Sequence, residues 1–357
     1  MAGVKTATPT LARAINDRLA LDLLLERGPL TAPQLRALTG LSRPTVSDLV
    51  ERLCAGGLVE AAGETGADRR GPNARLYGLV AGRAHVAGVD VRRGAVHVTA
   101  ADITGAEVGA VSRPLPAAGT PDLAALLSDA VGEAAGGRDL HTVVFGAPGL
   151  VHPATGLAAD NGMPGWRPDL AAALRERLGV RVLLDNEVNL AAVAEQRAGA
   201  AAGRADFALL WLDDGVGAAV VLGGRVRRGA SGGAGEVGLL DVDGEMFCHA
   251  LEARTAGLLG EAEFAARITK GVFALVAVLD PGLVVLGGSL GRGGGEALAA
   301  AVAGHLAALS PAPTEIRTSA VEGNAVLQGA VLTALDHARD DVFGPPRNSG
   351  PEDAVQM

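Results

Sequence analysis

Two well-separated segments of the chain repeat one pattern of strands and turns. They are "VAGVDVRRGAVHVTAADITG", beginning at Val86, and "ALLWLDDGVGAAVVLGGRVRRG", beginning at Ala208. Each segment predicts a strand that ends in Asp, a tight turn, a second strand, and a glycine-containing turn into a third strand. Alternating helical and strand patterns follow each segment. The repeat therefore predicts a duplicated α/β unit with a cleft between its two halves.

Glycine-rich turns end two further apolar runs, "TVVFGAPGL" and "GLVVLGGSLG". Because glycine has no Cβ, such turns let a ligand approach the backbone at the end of a strand. Taken singly, each glycine pair is equally well explained as a simple tight turn.

The first eighty residues predict three short helices. An apolar stripe at one-turn spacing marks the first helix. Thr31 and Gln34 fit a capping box at the start of the second helix, which should end near Gly40. Ser42 can cap the third helix, "SRPTVSDLVERLCAGG", whose apolar residues share one face. Two short helices joined by a tight turn, the second with a polar N-terminal face, form the helix-turn-helix pattern.

A polar hairpin follows the third helix. "GLVEAA" and "ARLYGLV" predict two strands, and the tip between them, "GETGADRRGPN", has the features of a wing. The third helix can enter a major groove, and wing arginines can enter a minor groove. The predicted DNA contacts are Ser42, Arg43, Thr45, Ser47, Arg69 and Arg70. The alternative is a three-helix bundle used for protein contacts, with a solvated charged hairpin.

The distribution of charge agrees with a nucleic-acid contact near the N-terminus. Residues 1–80 contain ten Lys and Arg against eight Asp and Glu, a net charge of +2, whereas the whole chain carries −9. Cys54 and Cys248 offer neither a disulfide framework nor a metal-ligand spacing, which favours a reducing compartment. The sequence shows neither a signal peptide nor an apolar run that spans a bilayer, so we expect a cytoplasmic protein without a membrane partner.

Several stretches of the body resemble the ROK family, named for repressors, open reading frames and kinases. The matching stretches are "GVDVRRGAVHVTAADITG", "GAPGLV", "NGMPGW", "LLDNEVNLAAVAE", "GVGAAVVLGGRVRRGASGGAGEVG", "ALEA" and "LDPGLVVLGGSL". The resemblance implies an actin-like, sugar-kinase-type (ribonuclease H-like) α/β fold behind an N-terminal winged helix-turn-helix. We expect the winged helix in residues 1–80, the two α/β halves in 81–204 and 205–338, and a disordered tail in 339–357.

The positions that bind ATP in the family's kinases are altered here. Those kinases have a Gly-Gly-Thr turn after the first Asp, where small residues let backbone N–H groups reach the phosphates. In this chain Arg92 and Arg93 stand in that turn. At the second phosphate turn, Asp213 and Asp214 add negative charge that would repel a triphosphate. No cofactor is therefore expected.

The positions that bind sugar in the family are altered less than those that bind ATP. The resemblance places sugar or effector contacts at Asn161, Asn186, Glu187, Glu236 and Glu252. Glu187 stands where the kinases have a catalytic Asp, and a displacement of ~1 Å can reduce a rate ~10²-fold. From its position between a strand and a helix, Glu187 can be a base, a binding residue or a helix cap.

The zinc site found in the family is also changed. Leu239 replaces a His that holds both sugar and zinc in the family, and the zinc cysteines are absent, so no metal is expected.

These features predict a transcriptional regulator of carbohydrate-related genes, acting as a repressor, with a body that no longer catalyses. The expected partners are double-stranded operator DNA, a sugar or sugar-derived effector, and further copies in a homodimer or homotetramer. Two alternatives stay open at this point. One is an active sugar kinase that also binds DNA, and the other is a regulator whose body only dimerises.

Overall fold

The computed structural model describes residues 9–64, 74–242, 244–251 and 257–344. Its helices are α1 (Pro9–Arg27), α2 (Ala32–Thr39), α3 (Arg43–Ala55), α4 (Leu123–Ala135), α5 (Leu170–Leu178), α6 (Glu187–Ala198), α7 (Phe247–Leu251), α8 (Glu261–Leu279), α9 (Gly288–Gly293), α10 (Gly295–Leu309) and α11 (Ala325–Phe343). Short 3-10 turns lie at Ala81–Arg83 and Val237–Leu239. None of the helices in these ranges is both long and apolar enough to cross a bilayer.

In the described part of the chain, the strands fall into four sheets. They are β1 (Leu30–Thr31), β2 (Val59–Glu64), β3 (Arg75–Leu79), β4 (His85–Val91), β5 (Ala95–Asp102), β6 (Glu107–Pro114), β7 (Leu140–Ala147), β8 (Arg181–Asn186), β9 (Phe207–Leu212), β10 (Val216–Leu222), β11 (Arg225–Val226), β12 (Asp241–Val242), β13 (Glu245–Met246), β14 (Leu283–Gly287) and β15 (Glu315–Thr318). The pair β12 and β13 forms a small separate hairpin.

The N-terminal helices and hairpin form a winged helix, as predicted. Thr31 closes a capping box with Gln34 at the start of α2, and Gly40 ends that helix in the left-handed conformation. Strands β2 and β3 are antiparallel, and the short β1 adds to β3 as a third strand. The sequence pattern did not show β1. The wing tip lies outside the described residues.

The body contains two five-stranded sheets with the same strand order, which confirms the predicted duplication. The orders are β6-β5-β4-β7-β8 in the first half and β11-β10-β9-β14-β15 in the second. In each sheet the first three strands along the chain are antiparallel, and the last two run parallel to the central strand. The carboxyl ends of β4 and β9, with their turns, therefore face the cleft between the halves.

The last helix, α11, returns to the first half of the body. It packs with α6 against β4 and β7, and its apolar residues share one buried core with α6 and the second sheet. Two glycines allow this close packing. A Cβ on Gly329 of α11 would lie 1.8 Å from the backbone oxygen of Leu190, and one on Gly88 of β4 would lie 2.6 Å from the nitrogen of Val331. The predicted second half, residues 205–338, includes most of α11. In the structure, however, α11 packs on β4 and β7 of the first half.

The prediction of a disordered tail from residue 339 is wrong at its start. Helix α11 continues to Phe343, because Arg339 and Phe343 are buried on its inner face. Proline-rich composition begins only after Gly344, and the rest of the predicted tail lies outside the described residues.

Candidate functional site in the cleft

A cavity of about 150 Å³ lies between the halves, at the carboxyl ends of the central strands. Its lining residues are Asp90, Val91, Arg92, Arg93, Pro148, Glu187, Trp211, Asp213, Asp214, Gly215 and Val326. A second cavity of about 400 Å³ adjoins it and shares Arg92, Trp211 and Asp213 with it. Both altered turns therefore meet in one place, as the repeat predicted.

Asn186 caps the helix that carries Glu187. Its side-chain oxygen accepts hydrogen bonds from the backbone of Val188 at 2.8 Å and of Asn189 at 3.3 Å, and its Nδ2 donates to the backbone oxygen of Gly149 at 3.1 Å. This is a standard N-cap, with a second bond that ties the cap to the neighbouring turn. The Asn186 amide therefore binds within the protein at both its oxygen and its nitrogen, and Asn186 rather than Glu187 is the cap.

Glu187 is the first residue of α6 and turns its carboxylate into the cleft. Its Oε2 has neither a hydrogen-bond partner nor contact with solvent, although the residue as a whole stays partly exposed and lines the cavity. Burial raises the pKa of Glu187 to about 7, and the charges of Asp90 and Glu236 act in the same direction. The helix backbone and Arg92 oppose this shift. Near neutral pH Glu187 is therefore a mixture of the protonated acid and the ionised carboxylate.

Asp90 lies near the end of β4, and its charge is balanced within the protein. Its Oδ2 accepts from Nε of Arg92 at 2.6 Å and from Nδ2 of Asn324 at 2.7 Å. Asn324 is also the N-cap of α11. The arginine that replaces a small turn residue thus covers the carboxylate of the first turn, and the same carboxylate holds the start of the last helix.

Asp213 occupies the glycine turn of the second half. Its carboxylate accepts from the backbone nitrogen of Ser289 at 3.2 Å and from Oγ of Ser289 at 3.0 Å. Backbone N–H groups in such turns are the ones that bind phosphate oxygens in nucleotide sites. In this chain a protein carboxylate holds the position that a ligand anion would need.

A half-buried ion pair that sequence reasoning missed connects the two halves. Asp185 at the end of β8 accepts from Nη2 of Arg228 at 2.6 Å and from its Nε at 3.1 Å. Asp185 also accepts from Nδ2 of Asn189 at 3.2 Å. The sequence shows an Asp at a strand end and an Arg-Arg pair after β11. Their spacing in the chain does not indicate that the two side chains form an ion pair.

Two further predicted contacts lie at the edge of the cleft. Asn161 uses its amide internally, since Nδ2 donates to the backbone oxygen of Pro148 at 2.9 Å and Oδ1 accepts from Met163 at 3.1 Å. Glu236 immediately precedes the 3-10 turn Val237–Leu239, and burial raises the pKa of its carboxyl group. Glu252 lies outside the described residues.

The N-terminal face of α3 presents the predicted DNA contacts. Ser42 caps α3 and shares a 2.8 Å hydrogen bond with Thr45, so these two hydroxyls hold the helix start. Arg43 and Ser47 are exposed and line a groove of about 430 Å³ with Arg36 of α2. Arg69 and Arg70 lie outside the described residues.

Contacts of Arg18 and Phe343 join the winged helix to the body. Arg18 of α1 is buried, and it donates through Nε to Asp22 at 2.9 Å and through Nη1 to Asp340 of α11 at 3.0 Å. It also donates to the backbone oxygen of Gly344. Phe343 packs in the winged-helix core. Helix α11 therefore runs from Asp90 in the cleft to the DNA-binding domain.

Family models match these same two parts of the chain. Residues 86–255 match the model of the ROK family, and residues 15–71 match a model of the MarR family. The chain therefore contains a ROK family domain behind a MarR-type winged helix. The ROK resemblance and the fold predicted from it are both confirmed.

Curated relatives of this chain include a repressor and a kinase. The xylose repressor of Bacillus subtilis is 25% identical over 244 residues, which are 66% of this chain and 63% of the repressor. The glucokinase of Halalkalibacterium halodurans is 34% identical over 138 residues, which are 38% of this chain and 42% of the kinase. The chain thus spans less than two thirds of the length of either relative.

A solved structure extends the likeness to the winged helix. It is a ROK family transcriptional regulator described as a homologue of the Escherichia coli MLC protein, with a TM-score of 0.70 and 16% identity. The match covers 93% of this chain and 97% of the other. At this identity the likeness establishes the fold.

The position of the ROK zinc His is solvent-exposed here. Leu239 is 65% exposed, and the neighbouring Cys248 lies close to Gly238 in a half-buried position. Among the residues that the structure describes, no three His, Cys, Asp or Glu side chains are grouped to hold a metal ion. That the whole protein binds no zinc stays a prediction.

Proposed function

We propose that this protein is a DNA-binding transcriptional regulator, acting as a repressor of carbohydrate-related genes, whose kinase-like body binds a sugar-type effector and does not phosphorylate it. The relatives support the two parts of this proposal separately: the xylose repressor aligns with 66% of the chain, and the glucokinase only with part of the body. The chemistry of the cleft favours the repressor.

The observation that carries the proposal is the internal pairing of both phosphate turns. Asp90 is bonded to Arg92, and Asp213 is bonded to the backbone and hydroxyl of Ser289. Phosphoryl transfer depends on positioning the donor and neutralising its charge. Here Arg92 and the backbone N–H of Ser289 are already bonded to protein carboxylates, and Asp214 adds a further negative charge to the same cavity.

DNA binding is supported by the exposed face of α3. Arg43 stands at the start of that helix, with Ser47 one turn further on, and a bidentate arginine contact to a base contributes ~1–3 kcal/mol of discrimination. The DNA contacts of a winged helix come from such a face and from the wing. A symmetric pair of such domains would read an inverted repeat.

A mobility-shift assay with DNA from upstream of its own gene tests this part. We expect salt-dependent binding that weakens roughly 5- to 150-fold in Arg43→Ala. The matched control is Arg177→Ala, which removes an exposed arginine from α5 in the body. Equal affinity of both variants and the parent would show that α3 does not read the groove.

The absence of kinase activity is tested by ATP consumption with a panel of hexoses, pentoses and amino sugars. We expect no sugar-dependent turnover in the parent protein. Turnover that disappears in Glu187→Ala would establish a kinase. It would also mean that Arg92 and Asp213 leave their partners when a nucleotide binds.

A further inference from the structure

The Glu187 carboxylate lacks the hydrogen bond that its burial requires. A buried carboxylate oxygen without a donor destabilises the folded state. Such atoms are rare in native proteins, and a ligand that supplies the donor is one explanation for them. Rotation about the terminal torsion of Glu exchanges the two oxygens, so a donor in the cavity can reach either of them.

The amide and backbone donors nearest to Glu187 are bonded to other atoms of the protein. The amides of Asn186 and Asn161 are bonded within the protein, and the backbone nitrogen of Ser289 is bonded to Asp213. Among the described residues, no donor is bonded to Oε2 of Glu187, so a ligand in the cavity can supply that hydrogen bond.

The charge of the cavity selects the kind of donor. Four carboxylates line it, from Asp90, Glu187, Asp213 and Asp214, against two guanidinium groups. Arg92 is bonded to Asp90, and Arg93 donates to the backbone oxygen of Asn161 at 3.1 Å. The excess of negative charge favours a cation and disfavours a phosphate or carboxylate ligand.

We propose that the cavity binds the ammonium group of an amino sugar, a hexosamine with a free amine, against the carboxylate of Glu187. The proposal deepens the effector-binding function proposed above and rests on it. A volume of about 150 Å³ is below the ~300–1,000 Å³ of drug-sized sites, so one sugar-sized ligand suits it.

Isothermal titration of the full chain at pH 6.5 tests the proposal. The probes are glucosamine, galactosamine and mannosamine, together with glucose, N-acetylglucosamine and glucose 6-phosphate. We expect at least one hexosamine to bind tenfold or more tighter than glucose, because a hydrogen bond to a charged group is the stronger kind. N-acetylation should remove this advantage, and glucose 6-phosphate should bind most weakly.

The variant Glu187→Gln separates the ammonium contact from general sugar binding. It should weaken hexosamine binding about tenfold or more, and by a clearly larger factor than it weakens glucose binding. Glu176→Gln, an exposed position on α5, is the matched control and should change neither. An equal loss for hexosamine and glucose in Glu187→Gln would contradict the proposal, since it would indicate a merely structural role.

Proton release gives a second readout. An ammonium favours the ionised form of Glu187, so hexosamine binding at pH 6.5 should release more than half a proton per chain. The charged groups that face Glu187 are Asp90, Glu236 and Arg92, with Asp213 and Asp214 across the cavity. Titration in two buffers of different ionisation enthalpy measures the release, which should disappear in Glu187→Gln.

The outcomes distinguish the two proposals. Binding of glucose without preference for a hexosamine would overturn the ammonium site and leave the sugar-responsive regulator intact. Failure of all three hexosamines to bind would also overturn it. Loss of DNA binding in the mobility-shift assay would instead count against the regulator, whatever the sugars do.

Discussion

Replacing Glu187 by Gln should stabilise the free protein above neutral pH and reduce the pH dependence of its stability. In the folded protein the pKa of Glu187 is about 7, whereas its ordinary value is 4.5. The folded state therefore holds this proton more tightly than the unfolded state does. Below about pH 4.5 the group is protonated in both states and contributes no penalty.

Ionisation of buried Glu187 lowers the free energy of unfolding. This loss of stability grows as the pH rises from about 4.5 to about 7 and is complete above that range. The difference between the two pKa values corresponds to at most roughly 3 kcal/mol at pH 8. Glutamine has nearly the same shape and no charge, so Glu187→Gln should recover much of this free energy at pH 8 and little at pH 4.5.

Urea-induced unfolding at both pH values measures the effect, with Glu176→Gln as the control. We expect the difference in unfolding free energy between Glu187→Gln and the parent to be larger at pH 8 than at pH 4.5 by about 1–3 kcal/mol. If Glu187→Gln and Glu176→Gln show the same pH dependence as the parent, Glu187 is not held in a buried, partnerless state.

Three further substitutions test the contacts that join the elements. Gly329→Ala should destabilise the protein by ~1–3 kcal/mol in thermal unfolding, because the added Cβ meets α6, whereas Gly304→Ala in the open face of α10 should stabilise it by ~0.5–1 kcal/mol. Arg18→Ala should increase hydrogen exchange in α1 and at the end of α11 and leave α8 unchanged, and uniform protection would contradict a docking role. Asp185→Asn should lower stability by ~1–2 kcal/mol, since it weakens the pair with Arg228; an unchanged urea midpoint would mean that the pair contributes nothing.

The sequence by itself determined the elements whose signals are local. The capping box of Thr31 and Gln34, the glycine at residue 40 and the cap at Ser42 each act within one helical turn, so the winged-helix helices could be placed from residue types alone. The repeat of strand and turn signals was equally local within each half. It predicted both sheets and the cleft between them, and the structure confirms both.

Only the tertiary structure decided how these elements meet. The sequence gives no sign that α11 returns to the first sheet, because that contact depends on glycines at 88 and 329 opposite residues far away in the chain. For the same reason the tail was predicted to begin too early: burial of Phe343 against the winged helix, rather than local propensity, extends the helix.

The same division holds in the cleft. The residue types at 186 and 187 indicated a cap, a binding residue or a base, but only the contacts show that Asn186 is the cap and that Glu187 is left without a donor. The altered residues at 92 and 213 were visible in the sequence, whereas their partners, Asp90 and Ser289, were not. The pKa of a buried group depends on everything packed around it, and those neighbours are brought together by the fold from separate parts of the chain.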